Sequence, residues 1–338
     1  MTRVNDLGEK KLIERLASLV DIETADILAR HDDVFYLKSP GNSNLVLHAD
    51  MLVGRTDVPP GMEHYYIGRK AVIQNVSDFI VKGVVPTGMI VSLALPGHMY
   101  IEQFDALMKG IGDTAKQYNI KYLGGDINEA DDLIIDITLV GFHDDVIVPR
   151  KGIKPGQVIA TTGVFGFTSA GLHLTLNGLA SNRMDKYRPV LDAVLKPCLN
   201  YEAILGIARQ PGIVASIDSS DGLSACLFDL MDVNDYGFLI DTLPVESIIN
   251  EFAFEYGLSL DDLLFNGGEE FHAIFVIESK RWDKVHDFAR QRGYYLEKIG
   301  VVIDEKKIQY QGSGSYKRRE IRKPGFEHLS QHDHGGSS

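Results

Sequence analysis

Apolar positions recur along the chain in two rhythms. Between residues 9 and 20, Leu12, Ile13, Leu16, Leu19 and Val20 fall on one helical face, which predicts an amphipathic helix. "NLVLHADMLV" (44–53) reads as a strand. It is followed by a helix from about Ile67 to Val81, a strand in "MIVSLAL" (89–95), a helix over 101–118 and a strand in "DLIIDITLVGF" (132–142). Strands and helices thus alternate through this half, as they do in an α/β domain.

Near residue 150 the pattern is interrupted. "VPRKGIKPGQVIATTGVFG" (148–166) is rich in Gly and Pro, and Lys154-Pro155-Gly156 reads as a turn. A domain boundary is placed here, giving an N-terminal domain over 1–149 and a C-terminal domain over 150–329. The second half is expected to hold strands at 157–162, 213–218, 237–241, 272–278 and 295–303. Helices are expected near 167–177 and 280–292. No repeat of solenoid period is evident. The polar end "SQHDHGGSS" (330–338) is expected to be a disordered tail.

With 338 residues and 44% hydrophobic positions, the chain has ordinary globular composition and suggests roughly two domains. The longest apolar candidate for a membrane span, Gly83 to Gly97, is cut by Pro86 and Pro96. The polar N-terminus is no signal peptide. Cys198 and Cys226 form no metal or disulfide pattern, which points to a reduced, cytoplasmic location. A formal net charge of −13 weighs against a general nucleic-acid binder. It leaves a phosphate ligand open, provided bound cations rather than a wall of Lys and Arg neutralise it.

The acids then become informative by position. Asp32-Asp33 precede "VFYL", Asp50 ends "LVLHA", Asp126 follows "YLGG", and Asp78 lies inside the helix that contains "NVSDFIVKG". Each has an ordinary reading as turn former, cap or solvated acid. Asp78 resists it best, because its helix is otherwise apolar on that side and Asp is a mediocre helix former. The stretch "SIDSSDGLSA" (216–225) sets Asp218 and Asp221 where a strand turns into a helix. The pair could cap that helix or hold a divalent cation. Gly124-Gly125 and Gly267-Gly268 could let backbone N–H groups approach a ligand. Gly163 to Gly166 with Thr168-Ser169 reads equally as an anion site at a helix N-terminus or as a tight turn. There is no Walker A loop, no protein-kinase motif set, no His-Glu-x-x-His and no nucleophile elbow.

Taken in order, "LGEKKLIERL", "HDDVFYL", "HADMLVGRTDVPPGM", "GRKAVIQNVSDFIVKGVVP", "YLGGDINEADDLIIDITLVG", "VPRKGIKPGQVIATTG", "FTSAGL", "IDSSDGL" and "NGGEEF" resemble the thiamine-monophosphate kinase family. That family belongs with aminoimidazole ribonucleotide synthetases, selenophosphate synthetases and hydrogenase-maturation dehydratases. The resemblance spans about residues 7–328, and "TDVPPGM" is of the archaeal type. It implies a two-domain α/β fold: an N-terminal sheet that dimerises into a shared barrel, and a C-terminal α/β domain that closes over the nucleotide. It implies direct transfer of the ATP γ-phosphoryl group to thiamine monophosphate with Mg²⁺, in a homodimer, with K⁺ as an optional monovalent ion. Matching positions make Asp33, Asp50, Asp78, Asp126, Asp218 and Asp221 metal ligands. Gly125, Asp126, Arg150 and Ser220 would touch ATP, and Glu269 and Phe326 the thiamine part. No general base or phosphoenzyme nucleophile is nominated.

The chain departs from the family pattern at several points. His48-Ala49 replace two hydroxyl residues, and Asp57 stands in place of a substrate-binding His. Ile127 replaces a Thr, and Glu270-Phe271-His272 replaces Asp-Tyr-Glu. The alternatives are another ATP-dependent synthetase that activates an amide or carbonyl oxygen, and a nucleotide-binding regulator without catalysis.

Overall fold

A computed structural model describes residues 4, 8–19, 32–38, 43–144, 147–180, 185–312 and 317–321. The expected tail (330–338) and Phe326 lie outside the described residues.

The first half contains α1 (Glu9–Leu19), β1 (Phe35–Lys38), β2 (Asn44–Val53), α2 (Gly54–Asp57), α3 (His64–Val81), β3 (Pro86–Leu95), α4 (Ile101–Gln117), β4 (Lys121–Glu129) and β5 (Ile134–His143). Its five strands form an open sheet in the order β1-β2-β5-β3-β4. Only β3 and β4 run parallel. β2 and β5 pair over ten residues, from Asn44↔His143 to Val53↔Ile134. Because strand side chains alternate, one face presents Val46, Leu52, Val91, Leu93, Ile135, Ile137 and Leu139, all buried with α3 in one core. The opposite face presents Phe35, Leu37, Met51, Ile90 and Phe142, between 42% and 55% exposed. Leu37, Leu45 and Phe142 are cross-strand neighbours on this face, with Phe35 paired to Leu47 beside them.

The second half contains β6 (Val158–Thr161), α5 (Phe167–Leu176), α6 (Arg188–Leu195), α7 (Tyr201–Ala208), β7 (Ile213–Asp218), α8 (Leu223–Asn234), β8 (Gly237–Ile240), α9 (Ser247–Tyr256) and α10 (Leu260–Phe265). It continues with β9 (Ala273–Ile277), α11 (Trp282–Gln291), β10 (Glu297–Ile303), β11 (Ile308–Tyr310) and β12 (Arg319–Glu320). The seven strands are ordered β12-β11-β8-β10-β6-β9-β7. β9 is buried throughout. Ala273, Phe275 and Ile277 join the first core with α7 and α11, while Ile274 and Val276 join a second core with α5, α8 and α9. A sheet covered on both faces explains why this strand is apolar without alternation.

The first core crosses the boundary near residue 150. Val72, Ile73, Val76 and Ile80 of α3 share it with Ile204, Ile207 and Ala208 of α7. α3 is accordingly buried nearly all round, as a central helix must be.

β4 escapes the sequence pattern because it is an edge strand. Its side chains are almost all exposed, so no period-2 apolar signal arises. Gly124-Gly125-Asp126 lies inside this strand. A Cβ on Gly125 would sit 1.7 Å from the carbonyl oxygen of Val91. The glycine permits the close approach of β3.

Candidate active site

The inward face of α3 is not apolar throughout. Lys70, Gln74, Ser77, Asp78 and Lys82 recur at spacings of three or four residues, and all are largely buried. Each meets a different segment. The Lys70 ammonium pairs with Glu269 at 2.5 Å and bonds the Asp57 carbonyl. Gln74 donates to Oδ2 of Asp50 at 2.8 Å. Ser77 donates to Oδ2 of Asp218 at 2.8 Å. Lys82 reaches Asp32 at 2.7 Å, Asp33 at 2.6 Å and the Ser216 carbonyl at 2.7 Å. Its three donors are thus all used, although the side chain is wholly buried.

Around this stripe the acids converge. Nε2 of His48, on β2, lies 3.2 Å from Oδ2 of Asp78. Asp50, two residues along the same strand face, is held by Gln74 and by Asn75, whose side-chain oxygen accepts the Asp50 N–H at 3.1 Å. Asp33 bonds Arg150 through one oxygen and Lys82 through the other. Asp218 ends β7. Ligand atoms of His48, Asp50 and Asp78 lie within 4.8 Å of one another, and so do those of Asp33, Asp78 and Asp218. Asp78 belongs to both groups.

The electrostatics show what this crowding costs. Burial, then the charges of Asp218, Asp33 and Asp50, push the Asp78 carboxyl well above its usual value. Burial and Asp33 push Asp218 up to about 7. Burial would also raise Asp33, but Arg150 and Lys82 outweigh it and leave it lowered. Burial lowers His48 against the pull of Asp50. Carboxylates so placed relieve their repulsion by taking up protons or by binding a hard divalent cation. The carboxylates of this set therefore fit a hard divalent cation such as Mg²⁺.

Four of the six expected metal ligands come together here: Asp33, Asp50, Asp78 and Asp218. Asp126 and Asp221 are exposed and join neither group. Asp126 aligns with exposed Ser92, whereas Gly125 aligns with buried Val91. Arg150 is part of the acid cluster through Asp33 and lies 3.8 Å from Asp229. Asp57 accepts the Val53 N–H at 2.7 Å with one carboxylate oxygen.

The loop after β7 does not cap α8 with a side chain. Its N-cap is Gly222, at φ 94°, and no side-chain cap bond forms. The loop packs instead on residues 267–269. The Glu269 N–H donates to the Ser220 carbonyl at 2.6 Å, and a Cβ on Gly222 would lie 2.5 Å from the Gly267 carbonyl. Gly267 and Gly268 permit this loop contact and the approach of Ser169.

At the N-terminus of α5 the anion is internal. Oε1 of Glu270 accepts the N–H groups of Gly166 at 2.8 Å and Thr168 at 3.2 Å. The two readings of that motif meet here: the turn presents its N–H groups to an acceptor, and the acceptor is a carboxyl of the chain itself.

Sequence reasoning missed Lys70, Gln74, Ser77 and Lys82, and named Asp32 only as the neighbour of Asp33. For Lys70, Gln74 and Ser77 the signal was polar residues at helical spacing inside a helix that apolar content had already marked as buried.

The AIR synthase related protein N-terminal domain family matches residues 31–143, and its C-terminal domain family matches residues 154–312. A thiamine-monophosphate kinase of Nitrosopumilus maritimus is 31% identical over 82% of this chain and 86% of its own length. One of Pyrococcus horikoshii is 30% identical over 93% of this chain and 95% of its own. The solved structure of AaThiL complexed with AMPPCP and TMP superposes with a TM-score of 0.83 at 23% identity, covering 97% of this chain and 99% of that one. That of tt0281 from Thermus thermophilus superposes with a TM-score of 0.82 at 26% identity, covering 94% and 100%. Both halves of the chain are matched and the relatives align over most of their length, so the chain belongs to the thiamine-monophosphate kinase family, on the two-domain AIR synthase fold.

Proposed function

We propose that this protein transfers the γ-phosphoryl group of ATP directly to the phosphate of thiamine monophosphate, giving thiamine diphosphate and ADP. The observation that carries the reading is the convergence of Asp33, Asp50, Asp78 and Asp218 on α3, with two fixed cations, Lys82 and Arg150, among them. Family membership supplies the acceptor and the donor.

Phosphoryl transfer asks a protein mainly for positioning and charge stabilisation. The acceptor oxygen belongs to a phosphate already largely ionised near neutral pH, so no strong general base is needed. Bound Mg²⁺ would supply the charge neutralisation that lets an anionic acceptor meet an anionic donor. Asp50, Asp78 and Asp218 would hold it. The protein's other groups keep those carboxylates in place. Gln74 and Asn75 fix Asp50, Ser77 fixes Asp218, and Lys82 ties Asp32 and Asp33 to the strand that bears Asp218. Lys70 holds Glu269, which sits at φ 65° between the two facing loops and is the candidate contact for the thiamine part. Asp126, Asp221, Arg150, Gly125 and Ser220 keep their proposed nucleotide and metal roles as groups that the bound substrates would recruit. A homodimer joined through the exposed face of the five-stranded sheet completes the reading.

The test is incubation with Mg-ATP labelled at the γ position and thiamine monophosphate. Label is expected in thiamine diphosphate and not on the protein. A chemically competent labelled phosphoprotein, or ATP turnover without thiamine diphosphate, refutes direct transfer to this acceptor.

A further inference from the structure

His48 lies on the inward face of β2, two residues before Asp50, and is buried. Its Nδ1 sits 2.6 Å from the backbone carbonyl oxygen of Asp33. A carbonyl oxygen can only accept, so Nδ1 carries the proton and donates it. The other nitrogen, Nε2, is buried and makes no hydrogen bond. It points at Oδ2 of Asp78, 3.2 Å away. Two donors bound side by side to one octahedral ion at ~2.1 Å are about 3 Å apart, close to the spacing found here. An imidazole whose far N–H is anchored on a backbone carbonyl, with its near nitrogen beside carboxylates, has the arrangement of a metal-ligating histidine. Asp50 supplies a third atom within 4.8 Å and is itself held by Gln74.

We propose that Nε2 of His48 is a direct ligand in the cation site of Asp50 and Asp78, and that this nitrogen makes the site prefer first-row transition divalent ions such as Mn²⁺ over Mg²⁺. The proposal rests on the metal-assisted reading above and adds the ligand chemistry of one site. Mg²⁺ takes oxygen ligands and gives up its water reluctantly, whereas first-row transition ions accept imidazole nitrogen increasingly well along the series from Mn²⁺ to Cu²⁺, so Mn²⁺, the spectroscopically visible member, is the most stringent test of the nitrogen's effect. Replacing an oxygen donor by nitrogen therefore shifts selectivity without changing the charge of the site.

The experiment uses the full chain, stripped of metal and titrated with MnCl₂ alone, with MgCl₂ as competitor. Bound Mn²⁺ is followed by electron paramagnetic resonance. Mn²⁺ is expected to bind at least ~10-fold more tightly than Mg²⁺, and His48→Ser to weaken Mn²⁺ ~10-fold or more while changing Mg²⁺ far less. Electron spin echoes from bound Mn²⁺ should carry a nitrogen modulation that changes when histidine is labelled with ¹⁵N and vanishes in His48→Ser. The modulation should survive in a His332→Ser/His334→Ser variant, which removes the tail histidines. Absence of Mn²⁺ binding, binding without nitrogen modulation, loss of the modulation in the tail variant, or unchanged affinity in His48→Ser each overturns the proposal. If His48→Ser fails to fold, the spectra of the labelled wild type and the tail variant decide. Failure of the kinase reading looks different: the nitrogen signal persists and no thiamine diphosphate forms.

Discussion

Replacing Lys82 by Met tests whether the acid cluster is held by one buried cation. Met keeps the length and apolar stem of Lys but removes three donors. The wild-type ammonium is fully buried against Asp32, Asp33 and the Ser216 carbonyl. Its removal leaves two fully buried carboxylates sharing Arg150. Breaking a buried pair from one side costs ~3–5 kcal/mol, a large part of the ~5–15 kcal/mol that holds a typical domain. For 338 residues unfolding together, an unfolding entropy of ~2.1 cal/mol/K per residue gives about 1.4 °C per kcal/mol, so the melting temperature should fall by roughly 4–7 °C.

The sign of the pH effect follows from Asp33. Its carboxyl is lowered in the folded state because Arg150 and Lys82 outweigh burial. A lowered folded value gives stability that is present above the unfolded pKa and lost as pH falls through the folded one. Lys82→Met weakens that lowering, so the Asp33 carboxyl of the variant takes up its proton at higher pH. The gap between wild type and variant should be widest near neutral pH and narrow on acidification towards the carboxylate range. Thermal melts followed by circular dichroism across that range measure it. The exposed Lys109–Asp113 pair on α4 serves as a control whose loss should not move the midpoint. A Lys82→Met midpoint equal to wild type, or a gap independent of pH, refutes the argument.

Three further outcomes are expected. Asp218→Asn and Asp78→Asn should each lose at least ~10-fold in turnover, about 1.4 kcal/mol of barrier. In chelator their melting temperatures should match or exceed wild type, because burial already raises both carboxyls; full activity at limiting Mg²⁺ would remove them from the metal site. Glu270 is pushed from 4.5 up to about 7 by burial, so as pH rises between those values the unfolded chain releases a proton that the folded chain retains, and stability falls. Glu270→Gln should therefore melt higher than wild type at pH ~8, by up to ~3 kcal/mol, and match it below pH ~4.5; a difference that does not change with pH refutes the burial argument. Light scattering should report about twice the chain mass, because Phe35, Leu37, Met51, Ile90 and Phe142 form one exposed apolar face; an active monomer refutes the dimer.

The fold was legible wherever a segment buries one face or both. β2 and β7 match the expected spans residue for residue, and α3 begins three residues earlier than the pattern indicated. Exposed β4 and the short helices α6, α7, α9 and α10 were not legible, because their contacts depend on tertiary neighbours that a local pattern does not name. In the site, Asp78 stood out as a charge inside an apolar helix, and it proved to be the shared member of both groups. Asp218 was ambiguous between cap and ligand. The structure removes the cap reading, because Gly222 takes the cap position, and it sets the carboxylate against Ser77, 141 residues earlier. Lys82 was invisible for a related reason. Nothing in "IVKGVVP" says that a terminal lysine folds back under Asp32 and Asp33.

The burial of α3 has a consequence for how such chains can diverge. One side of the helix locks onto the strands of the first half, while Ser77, Val81 and Lys82 engage β7 in the second. The helix is therefore a fixed ruler between ligands drawn from distant parts of the sequence. A single-residue insertion within it would rotate every later side chain by ~100° and carry Asp78 and Lys82 off their partners together. Exchange of halves between distant relatives should succeed only when α3 travels with the β7 and α7 surface that receives it. Crossovers placed at the Gly- and Pro-rich segment near residue 150, where sequence alone invites a cut, would separate the helix from half of what it aligns.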